Sequence, residues 1–529
     1  QCLVLIGSHL GENMHNTQVQ EMAEAIGRGV PIIVVDPRHS VAASKAKYWL
    51  PVKPGTDMAL LLAWMNLLVG EGRYDRDFVA KHGHGFDKFA AAIKGYTPEW
   101  AAEQCGVSAE VIRAAAREFA AHRPAAIVHP GRRVNWYGDD TQRSRAIALL
   151  NALLGSYGRA GGLYVSQTMK VAPFALPPYP KSDKPRADGA DGSEFPFADE
   201  GITTSIRKAT LTGKPYPIKG WVVYSANLMQ ALPNERETIE AIDKLDLLVV
   251  CDTVPGEMAG YADVVLPDTT FLERHDELLV GYGRTGWAAL RQPVVAPPHD
   301  QKPAWWIAKQ LADKLGIGAC MPFKDMEEYL AKRVTAAGLD WERLKAEGVI
   351  MGEHKPITVE EGLELSFDTP SGKVEFWSDQ LAAKGFDAVP KYTKHPEAPA
   401  DHFRLITGRS PVHTFSRTQS NPLLHDLVSD NEVWVHAATA ARLGLKHRDW
   451  VRLKNQDGAT SNRVRVKATQ RIREDTVYMV YGFGHKAPML KRANGRGASA
   501  AALNTRYATD PLMGATSIHA NFVQLVKEA

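Results

Sequence analysis

The chain has 529 residues, a length that suggests roughly three or four domains. Hydrophobic residues make up 44% of it and charged residues 23%, as in ordinary globular proteins, and the net charge of +3 is too small to indicate binding to nucleic acid or to an anionic membrane surface. No stretch reaches the roughly 18 consecutive apolar residues of a membrane-spanning helix.

Two stretches of the chain repeat the same order of predicted elements. Each contains an apolar strand, a polar loop, a helix, a second apolar strand that ends in aspartate, and a third strand that ends in proline. The strands lie at residues 2–7, 32–36 and 48–51 in the first stretch and at 221–224, 247–252 and 262–267 in the second. Apolar strands between turn residues are typical of parallel sheets that are buried on both faces. Two such units predict a ligand with two nucleotide ends, or two nucleotide ligands, across a pseudo-twofold axis.

The polar positions of the first unit are candidate binding residues. A loop at 8–16 follows Gly7 and precedes a helix, which is where backbone N–H groups can contact phosphate. Asp36 directly follows the second strand, where nucleotide-binding folds place a carboxylate against a ribose or base. Asp57 precedes the apolar helix predicted at 58–69, and capping of that helix explains it equally well.

The next region is predicted to be helical up to residue 122, with Ser108 as the N-cap of one helix. A strand at 125–129 then leads through a Pro-Gly turn to Arg132 and Arg133. Adjacent arginines at a strand end suit an anionic group, although local sequence alone slightly favours a solvated basic turn. Residues 168–217 are rich in Pro, Lys, Asp and Gly and are predicted to form a long covering loop.

The sequence changes character after residue 401, where short alternating strands recur. They are predicted at 403–407, 432–436, 450–454, 463–468, 476–480 and 522–526, which is typical of a separate β-barrel. Glycine and polar residues cluster at 407–410 and 481–485. We place His413 and His485 on barrel loops that face a pocket; two surface histidines are the alternative.

The four cysteines are too widely spaced to form a predicted metal site. They are Cys2, Cys105, Cys251 and Cys320, without any Cys-x-x-Cys pair or Cys/His cluster. This argues against an iron–sulfur or zinc site within the chain. Cys2 and Cys251 fall on apolar strands, where a free cysteine behaves as a small hydrophobic residue.

Together these pieces resemble the molybdopterin oxidoreductases of the dimethyl sulfoxide reductase type. The matching motifs lie at 3–7, 34–38, 54–57, Asn227, 262–267, 367–372 and 407–409, and the barrel follows them. Three further segments, at 131–142, 410–419 and 482–485, look most like the catalytic subunits of polysulfide and thiosulfate reductases.

The resemblance implies an α/β fold with two Rossmann-like parallel-sheet domains related by a pseudo-twofold axis, and a carboxy-terminal β-barrel domain. The expected limits are 1–165 for the first guanosine-binding domain, 166–400 for the second domain with its covering loop, and 401–529 for the barrel. It also implies a bis(molybdopterin guanine dinucleotide) molybdenum cofactor, whose two nucleotide ends agree with the duplicated unit.

The family's binding roles carry over to residues of this chain. One dinucleotide is expected to contact Gly7, His9, Asp36, Arg38, Gly55, Asp57 and Gly131. The other is expected to contact Ser225, Asn227, Cys251, Asp252 and Thr253. The barrel would reach the pterins through Thr407, Gly408, Arg409, His413 and His485. Catalytic roles are expected for Arg132 or Arg133, which could hold an anionic sulfur substrate near the metal, and for His413.

The predicted function is that of a catalytic subunit acting on polysulfide, thiosulfate or tetrathionate. A relative that oxidises sulfite or arsenite is one alternative, and a cofactor-free scaffold subunit of a respiratory complex is another. The family's [4Fe-4S] domain and its molybdenum ligand should precede residue 1, so we assign no metal ligand here and expect residues 1–529 alone to bind little molybdenum.

The expected partners are an iron–sulfur electron-transfer subunit and a membrane quinone-reactive subunit, and no nucleic acid. The expected location is the periplasmic side of the bacterial inner membrane, or the cytoplasm for a sulfite-oxidising relative.

Overall fold

The structure is a computed structural model that describes residues 1–8, 10–12, 16–131, 135–172 and 177–528. Within these ranges, no helix combines the length and the apolar character needed to cross a membrane.

The first sheet is parallel and deeply buried, as predicted. Its strands lie side by side in the order Tyr48–Leu50, Ile32–Val35, Cys2–Ile6 and Ala126–Pro130. The helices of this part are Asn16–Gly27, Asp57–Gly70, Arg76–His82, Phe86–Ile93, Pro98–Cys105, Ala109–Ala121 and Asp140–Leu153. Asp57–Gly70 lies inside the core because nearly all of its side chains are apolar. Its Trp64 is fully buried and donates a hydrogen bond from Nε1 to the carbonyl of Ile112 at 3.1 Å.

Two local predictions for this part have different outcomes. The Ser108 hydroxyl accepts a hydrogen bond from the Val111 N–H at 3.3 Å, which confirms Ser108 as an N-cap. Thr56 occupies the N-cap position of the helix Asp57–Gly70, so the interpretation of Asp57 as its cap is wrong.

The second sheet is also parallel, but one of its faces is open. Its strands pair in the order Gly220–Tyr224, Leu247–Asp252 and Val264–Pro267. Val222 is 62% exposed and Val265 47% exposed, so the prediction that both sheets are buried on both faces holds only for the first. An antiparallel sheet follows, in the order Val349–His354, Thr285–Ala289, Leu279–Gly283 and Gln167–Thr168.

The helices of this middle region are short. They are Thr203–Thr212, Leu228–Ala231, Glu235–Ile242, Ala304–Lys314, Met326–Ala336, Trp341–Glu347 and Asp379–Ala383. This region also contains the 3-10 turns Glu257–Gly260, Gly318–Cys320 and Val359–Glu361, and two further turns, Ala43–Lys45 and Ala501–Leu503, lie in the other parts of the chain. The first of these helices lies inside the predicted loop 168–217, which is therefore wrong in part. It is fixed by the buried Arg207, whose guanidinium donates to the hydroxyl of Thr238 at 3.0 Å.

The Pro-Ser-Gly turn at 370–372 is typical of a local hairpin, but the strand that follows it pairs elsewhere. The short strand Val374–Glu375 pairs in parallel with Gly83–His84 of the first region. Phe376 and Val389 are likewise buried in the core of the first sheet. The pairing partner lies almost 300 residues away in sequence, so a local turn pattern could not reveal it. The predicted domain limits at 165 and 400 stay a prediction.

Six strands close into a barrel within residues 403–527, all of which the structure describes, as the alternating pattern predicted. Their order around the barrel is Phe403–Gly408, Thr476–Val480, Glu432–His436, Val464–Thr469, Trp450–Asn455 and Phe522–Lys527. Two helices, Pro422–Leu427 and Ala437–Arg442, and a small pair of strands, Ala508–Thr509 and Thr516–Ser517, complete this part. Its interior is filled with Val, Leu and Phe side chains.

The edge strand of the first sheet is completed by a side chain. Asn151 is buried, and its Oδ1 accepts a hydrogen bond from the Val128 N–H while its Nδ2 donates to the Val128 carbonyl, both at 2.9 Å. The Asn151 amide thus satisfies the two backbone groups that a further strand would bind, and it attaches the helix Asp140–Leu153 to the sheet.

We expect Asn151→Leu to reduce the free energy of unfolding by roughly 2–5 kcal/mol, because two buried backbone groups lose their partners. Asn66→Leu is the matched control, since Asn66 donates a single partly buried hydrogen bond to the Tyr96 carbonyl and should cost roughly 1 kcal/mol. Urea denaturation of both variants measures the difference. Equal losses would contradict this role of Asn151.

Candidate cofactor-binding site

The carboxyl edge of the first sheet brings two of the predicted site residues together. Gly7 ends the strand Cys2–Ile6 with a φ of +57°. A Cβ added to Gly131 would lie 2.1 Å from the Ile6 carbonyl oxygen and 2.5 Å from the Ser8 nitrogen, so only glycine fits there. The chain after the strand Ala126–Pro130 therefore packs directly on the loop that follows Gly7.

Three predicted residues of this edge, His9, Arg132 and Arg133, lie outside the described residues.

Asp36 and Arg38 join this edge to the barrel. The Asp36 Oδ1 accepts a hydrogen bond from the Arg38 N–H at 2.8 Å, and both side chains are buried. The Arg38 guanidinium lies over the ring of Tyr478, 4.1 Å from its centroid, and 3.9 Å from a carboxylate oxygen of Glu12. Arg38 is thus part of the contact between the sheet and the barrel; its predicted contact with guanosine stays a prediction.

Gly55 and Asp57 belong to a buried cluster that is organised by Arg143. Gly55 has a φ of +95°, and its carbonyl accepts a hydrogen bond from Arg143 Nη2 at 2.6 Å. Arg143 Nη1 lies 3.5 Å from Asp57 Oδ2, and Arg143 Nε donates to Asp139 at 2.5 Å. Burial raises the pKa of Asp57 to about 6, even though Arg143 opposes the shift. A further hydrogen-bond donor would therefore stabilise the ionised form of Asp57.

The carboxyl edge of the second sheet meets the barrel through Ser225. Ser225 has a φ of +50°, and its N–H donates to the carbonyl of Cys251 at 2.8 Å. Its own carbonyl lies 3.5 Å from Arg417 Nη2 of the barrel. Asp252 accepts a hydrogen bond on Oδ1 from the N–H of Thr253 at 2.7 Å. Cys251 is buried, and burial raises the pKa of its free thiol, so it behaves as a core residue.

Asn227 and His485, two predicted residues that are far apart in sequence, meet at the carboxylate of Glu257. Asn227 Nδ2 donates to Glu257 Oε2 at 2.6 Å, and His485 Nδ1 lies 2.9 Å from Oε1. The N–H of Lys486 donates to the same Oε1 at 2.8 Å. Burial alone would raise the pKa of Glu257, but the bonds from His485, Asn227 and Lys486 hold it down at about 2. Glu257 is thus ionised at any working pH.

The remaining barrel residues are held mostly by the barrel itself. A Cβ on Gly408 would lie 2.1 Å from the Tyr478 hydroxyl, so the strand end requires glycine. Arg409 Nε donates to the Tyr481 hydroxyl at 3.1 Å. The ring nitrogens of His413 contact the Thr418 hydroxyl at 3.2 Å and the Val428 carbonyl at 2.7 Å. His413 is buried rather than exposed, and its predicted contact with a pterin stays a prediction.

Several buried polar atoms of these residues fit an additional polar ligand. Asn227 Oδ1, Thr407 Oγ1 and His485 Nε2 are buried and have no hydrogen-bond partner among the residues that the structure describes. Buried polar groups in folded proteins are nearly always paired, so unpaired atoms at three predicted cofactor positions match the requirements of a dinucleotide. Among all the residues that the structure describes, no group of three or more His, Cys, Asp or Glu side chains is arranged to hold a metal ion.

Sequence reasoning missed Arg143 and Glu257. Arg143 left a usable signal, because it occupies the apolar face of the helix Asp140–Leu153, where an unpaired cation would not be tolerated. Glu257 left none, because a single glutamate in a short turn is ordinarily a surface residue and its partners are distant in sequence.

Comparison with known proteins assigns two parts of the chain to described families. Residues 1–314 match the family model described as molybdopterin oxidoreductase, and residues 403–522 match the molybdopterin dinucleotide binding domain. The chain is 35% identical to the thiosulfate reductase molybdopterin-containing subunit PhsA of Salmonella typhimurium, over 99% of this chain and 73% of the relative.

Two further proteins show how widely this likeness extends. The molybdopterin-binding-like subunit of menaquinone reductase from Nitratidesulfovibrio vulgaris is 29% identical, over 84% of this chain and 58% of its own. The structure of acetylene hydratase from Pelobacter acetylenicus superposes with a TM-score of 0.82 at 24% identity, over 100% of this chain and 78% of the other, and this likeness shows the fold.

We expect the substitution Asp57→Asn to stabilise the cofactor-free protein at neutral pH. The pKa of Asp57 in the folded chain, about 6, lies above its usual 3.8, so ionisation of Asp57 opposes folding. This cost is absent below pH ~4 and complete above pH ~7, where it amounts to roughly 3 kcal/mol.

The test is urea denaturation of the wild type and the variant between pH ~4 and ~8. The difference between their free energies of unfolding should increase with pH in favour of Asp57→Asn. The exposed Asp77→Asn is the control. A difference that does not change with pH would contradict the expectation.

Proposed function

The chain belongs to the molybdopterin oxidoreductase family, and from this premise we propose that it is the catalytic subunit of an enzyme acting on an inorganic sulfur compound such as thiosulfate, polysulfide or tetrathionate. The observation that carries the substrate class is the likeness to the thiosulfate reductase subunit, which extends over nearly the whole chain. Thiosulfate reduction is S2O3²⁻ + H⁺ + 2 e⁻ → SO3²⁻ + HS⁻, so both substrate and products are anions.

We propose bis(molybdopterin guanine dinucleotide) as the form of the cofactor. Two parallel sheets, each with an aspartate at the end of a strand, support two nucleotide ends related by a pseudo-twofold axis. Guanine presents N–H donors on its Watson–Crick edge, which suit the buried carboxylate of Asp57. The bound molybdenum would supply the two-electron redox chemistry.

The contribution of this chain is binding and orientation. Arg143 places Asp57 by holding both its carboxylate and the backbone of Gly55. The barrel closes the site from the other side, through Arg417 at Ser225 and through His485 at Glu257. The proposed site therefore combines residues from all three parts of the chain.

For the assembly, we propose an iron–sulfur electron-transfer subunit and a membrane quinone-reactive subunit as partners. We propose a location on the periplasmic side of the inner membrane, where the membrane subunit would anchor the catalytic one. The names of these two relatives describe them as subunits, which supports the need for partners.

A cofactor-free scaffold is the second candidate function. The observation that favours it is the likeness to the subunit of menaquinone reductase that is named molybdopterin-binding-like. Against it stand the unpaired buried atoms of Asn227, Thr407 and His485, because a scaffold gains nothing from leaving them without partners.

Metal analysis and a dye-linked assay of the full-length protein separate these functions. We expect molybdenum and guanine nucleotide in the purified protein, and oxidation of a reduced viologen dye when thiosulfate, polysulfide or tetrathionate is added. Oxidation of sulfite or arsenite with an electron-accepting dye would instead support the alternative relative. A protein without molybdenum would support the scaffold.

The substitutions Arg132→Lys and Arg133→Lys test how the substrate is held. A guanidinium can bind two oxygens or sulfurs of an anion at once, whereas an ammonium keeps only the charge. We expect one of the two variants to lose roughly ten- to a hundredfold in kcat/KM for thiosulfate, and the other to be nearly silent because adjacent side chains at a strand end point apart.

Molybdenum content is the control for these two variants. If both are silent, the substrate is held elsewhere. If both lose activity together with molybdenum, the pair binds the cofactor and not the substrate.

A further inference from the structure

The Glu257 carboxylate fixes the hydrogen-bonding state of both its side-chain partners. An ionised carboxylate only accepts hydrogen bonds, so each atom that faces it must be a donor. Asn227 must therefore direct its Nδ2 at Glu257 and turn its Oδ1 away. His485 must carry a proton on Nδ1, which turns Nε2 away from Glu257.

The two atoms that are turned away are those that lack partners. Asn227 Oδ1 and His485 Nε2 are both buried without a partner among the described residues, and His485 is 1% exposed. A buried polar atom without a partner costs stability in the folded chain. Two such atoms, on side chains that bind one carboxylate from different parts of the fold, indicate a ligand that lies between the second sheet and the barrel.

We infer that Glu257 is a positioning residue for the bound cofactor: it presents Asn227 Oδ1 as an acceptor and His485 Nε2 in one fixed orientation to the N–H and hydroxyl groups of the dinucleotide. This inference rests on the proposed function, because it requires that the chain binds the cofactor. Glu257 itself has no atom left for a ligand, since both its oxygens are occupied by His485, Asn227 and Lys486.

A neighbouring glutamate provides a matched control. Glu235 pairs with the side-chain Nζ of Lys486 at 2.9 Å, at the same contact between the second region and the barrel. It has no described contact with Asn227 or His485. Glu235→Gln therefore removes a charge from this contact without changing the orientation of the two presented atoms.

The substitution Glu257→Gln keeps the shape of the side chain but changes what Asn227 presents. The oxygen of the new amide can still accept from His485 and from the Lys486 N–H, while its nitrogen is a donor directed at Asn227. Asn227 must then rotate its amide by half a turn and present an N–H where it presented an oxygen. Adding Asn227→Asp restores an oxygen at that place, because one carboxylate oxygen accepts from the new amide and the other remains free.

The experiment measures the rate at which molybdenum and guanine nucleotide leave the full-length holoenzyme, and the Tm of each cofactor-free protein. We expect Glu257→Gln and His485→Gln to release the cofactor roughly ten- to a hundredfold faster than the wild type. The double variant Glu257→Gln/Asn227→Asp should recover most of the loss, and Glu235→Gln should stay within about twofold. The Tm of cofactor-free Glu257→Gln should stay near that of the wild type, since each group that faces residue 257 again has a hydrogen-bond partner there.

Several outcomes would overturn the inference. Unchanged release from Glu257→Gln would do so, and so would release rates that simply follow the Tm values, since they would show Glu257 to be only a structural tie. A wild-type protein without molybdenum would overturn this inference and the proposed function together. A loaded wild type that does not act on sulfur compounds would overturn only the proposed substrate.

Discussion

The three parts of the chain are held together by charged groups that are buried where the parts meet. Each junction contains a buried charge whose partners come from distant residues. Arg38, after the second strand of the first sheet, lies over Tyr478 of the barrel. Glu257, in the turn between the strands Leu247–Asp252 and Val264–Pro267 of the second sheet, binds His485 of the barrel. Removing one member of such a pair leaves an uncompensated charge, so these contacts allow only one relative placement of the parts.

The Arg143 cluster shows the other side of the same constraint. A fully buried guanidinium bonds Asp139 and the Gly55 carbonyl and lies near Asp57, whose pKa is raised by burial. Because burial and not pairing dominates this pKa, the cluster is electrostatically incomplete in the isolated chain. Burial of the Asp57 carboxylate reduces the stability of the folded chain, and a ligand that offers N–H donors to it would offset this cost.

The sequence predicted the strands well and their surroundings poorly. Apolar runs ending in Asp36 and Asp252 specified both parallel sheets, since this pattern is local and buried strands leave little alternative. The barrel was equally visible, because alternation over short strands is also a local signal. The open face of the second sheet, at Val222 and Val265, could not be predicted, because an apolar strand has the same sequence pattern whether one of its faces or both are covered.

The site could be predicted only in part, for a related reason. Gly7, Gly131 and Gly408 stand out as glycines at strand ends; a φ of +57° explains Gly7, and close packing explains Gly131 and Gly408. Glu257 could not be found, because its role lies in contacts that span 30 residues to Asn227 and 228 residues to His485. Polar contacts between distant residues leave no periodic pattern, whereas burial of apolar faces does.

These observations together determine where a bound cofactor would stabilise the molecule. The core beneath the first sheet is apolar, so a ligand can act on that sheet only at its polar edge, where Asp57 is buried. Among the predicted cofactor residues, the polar atoms without described partners are Asn227 Oδ1, Thr407 Oγ1 and His485 Nε2, on the second sheet and the barrel. A ligand that pairs with them stabilises the folded chain by mass action, and it does so mainly where these two parts meet. Loss of the cofactor should therefore loosen the contact between the second sheet and the barrel.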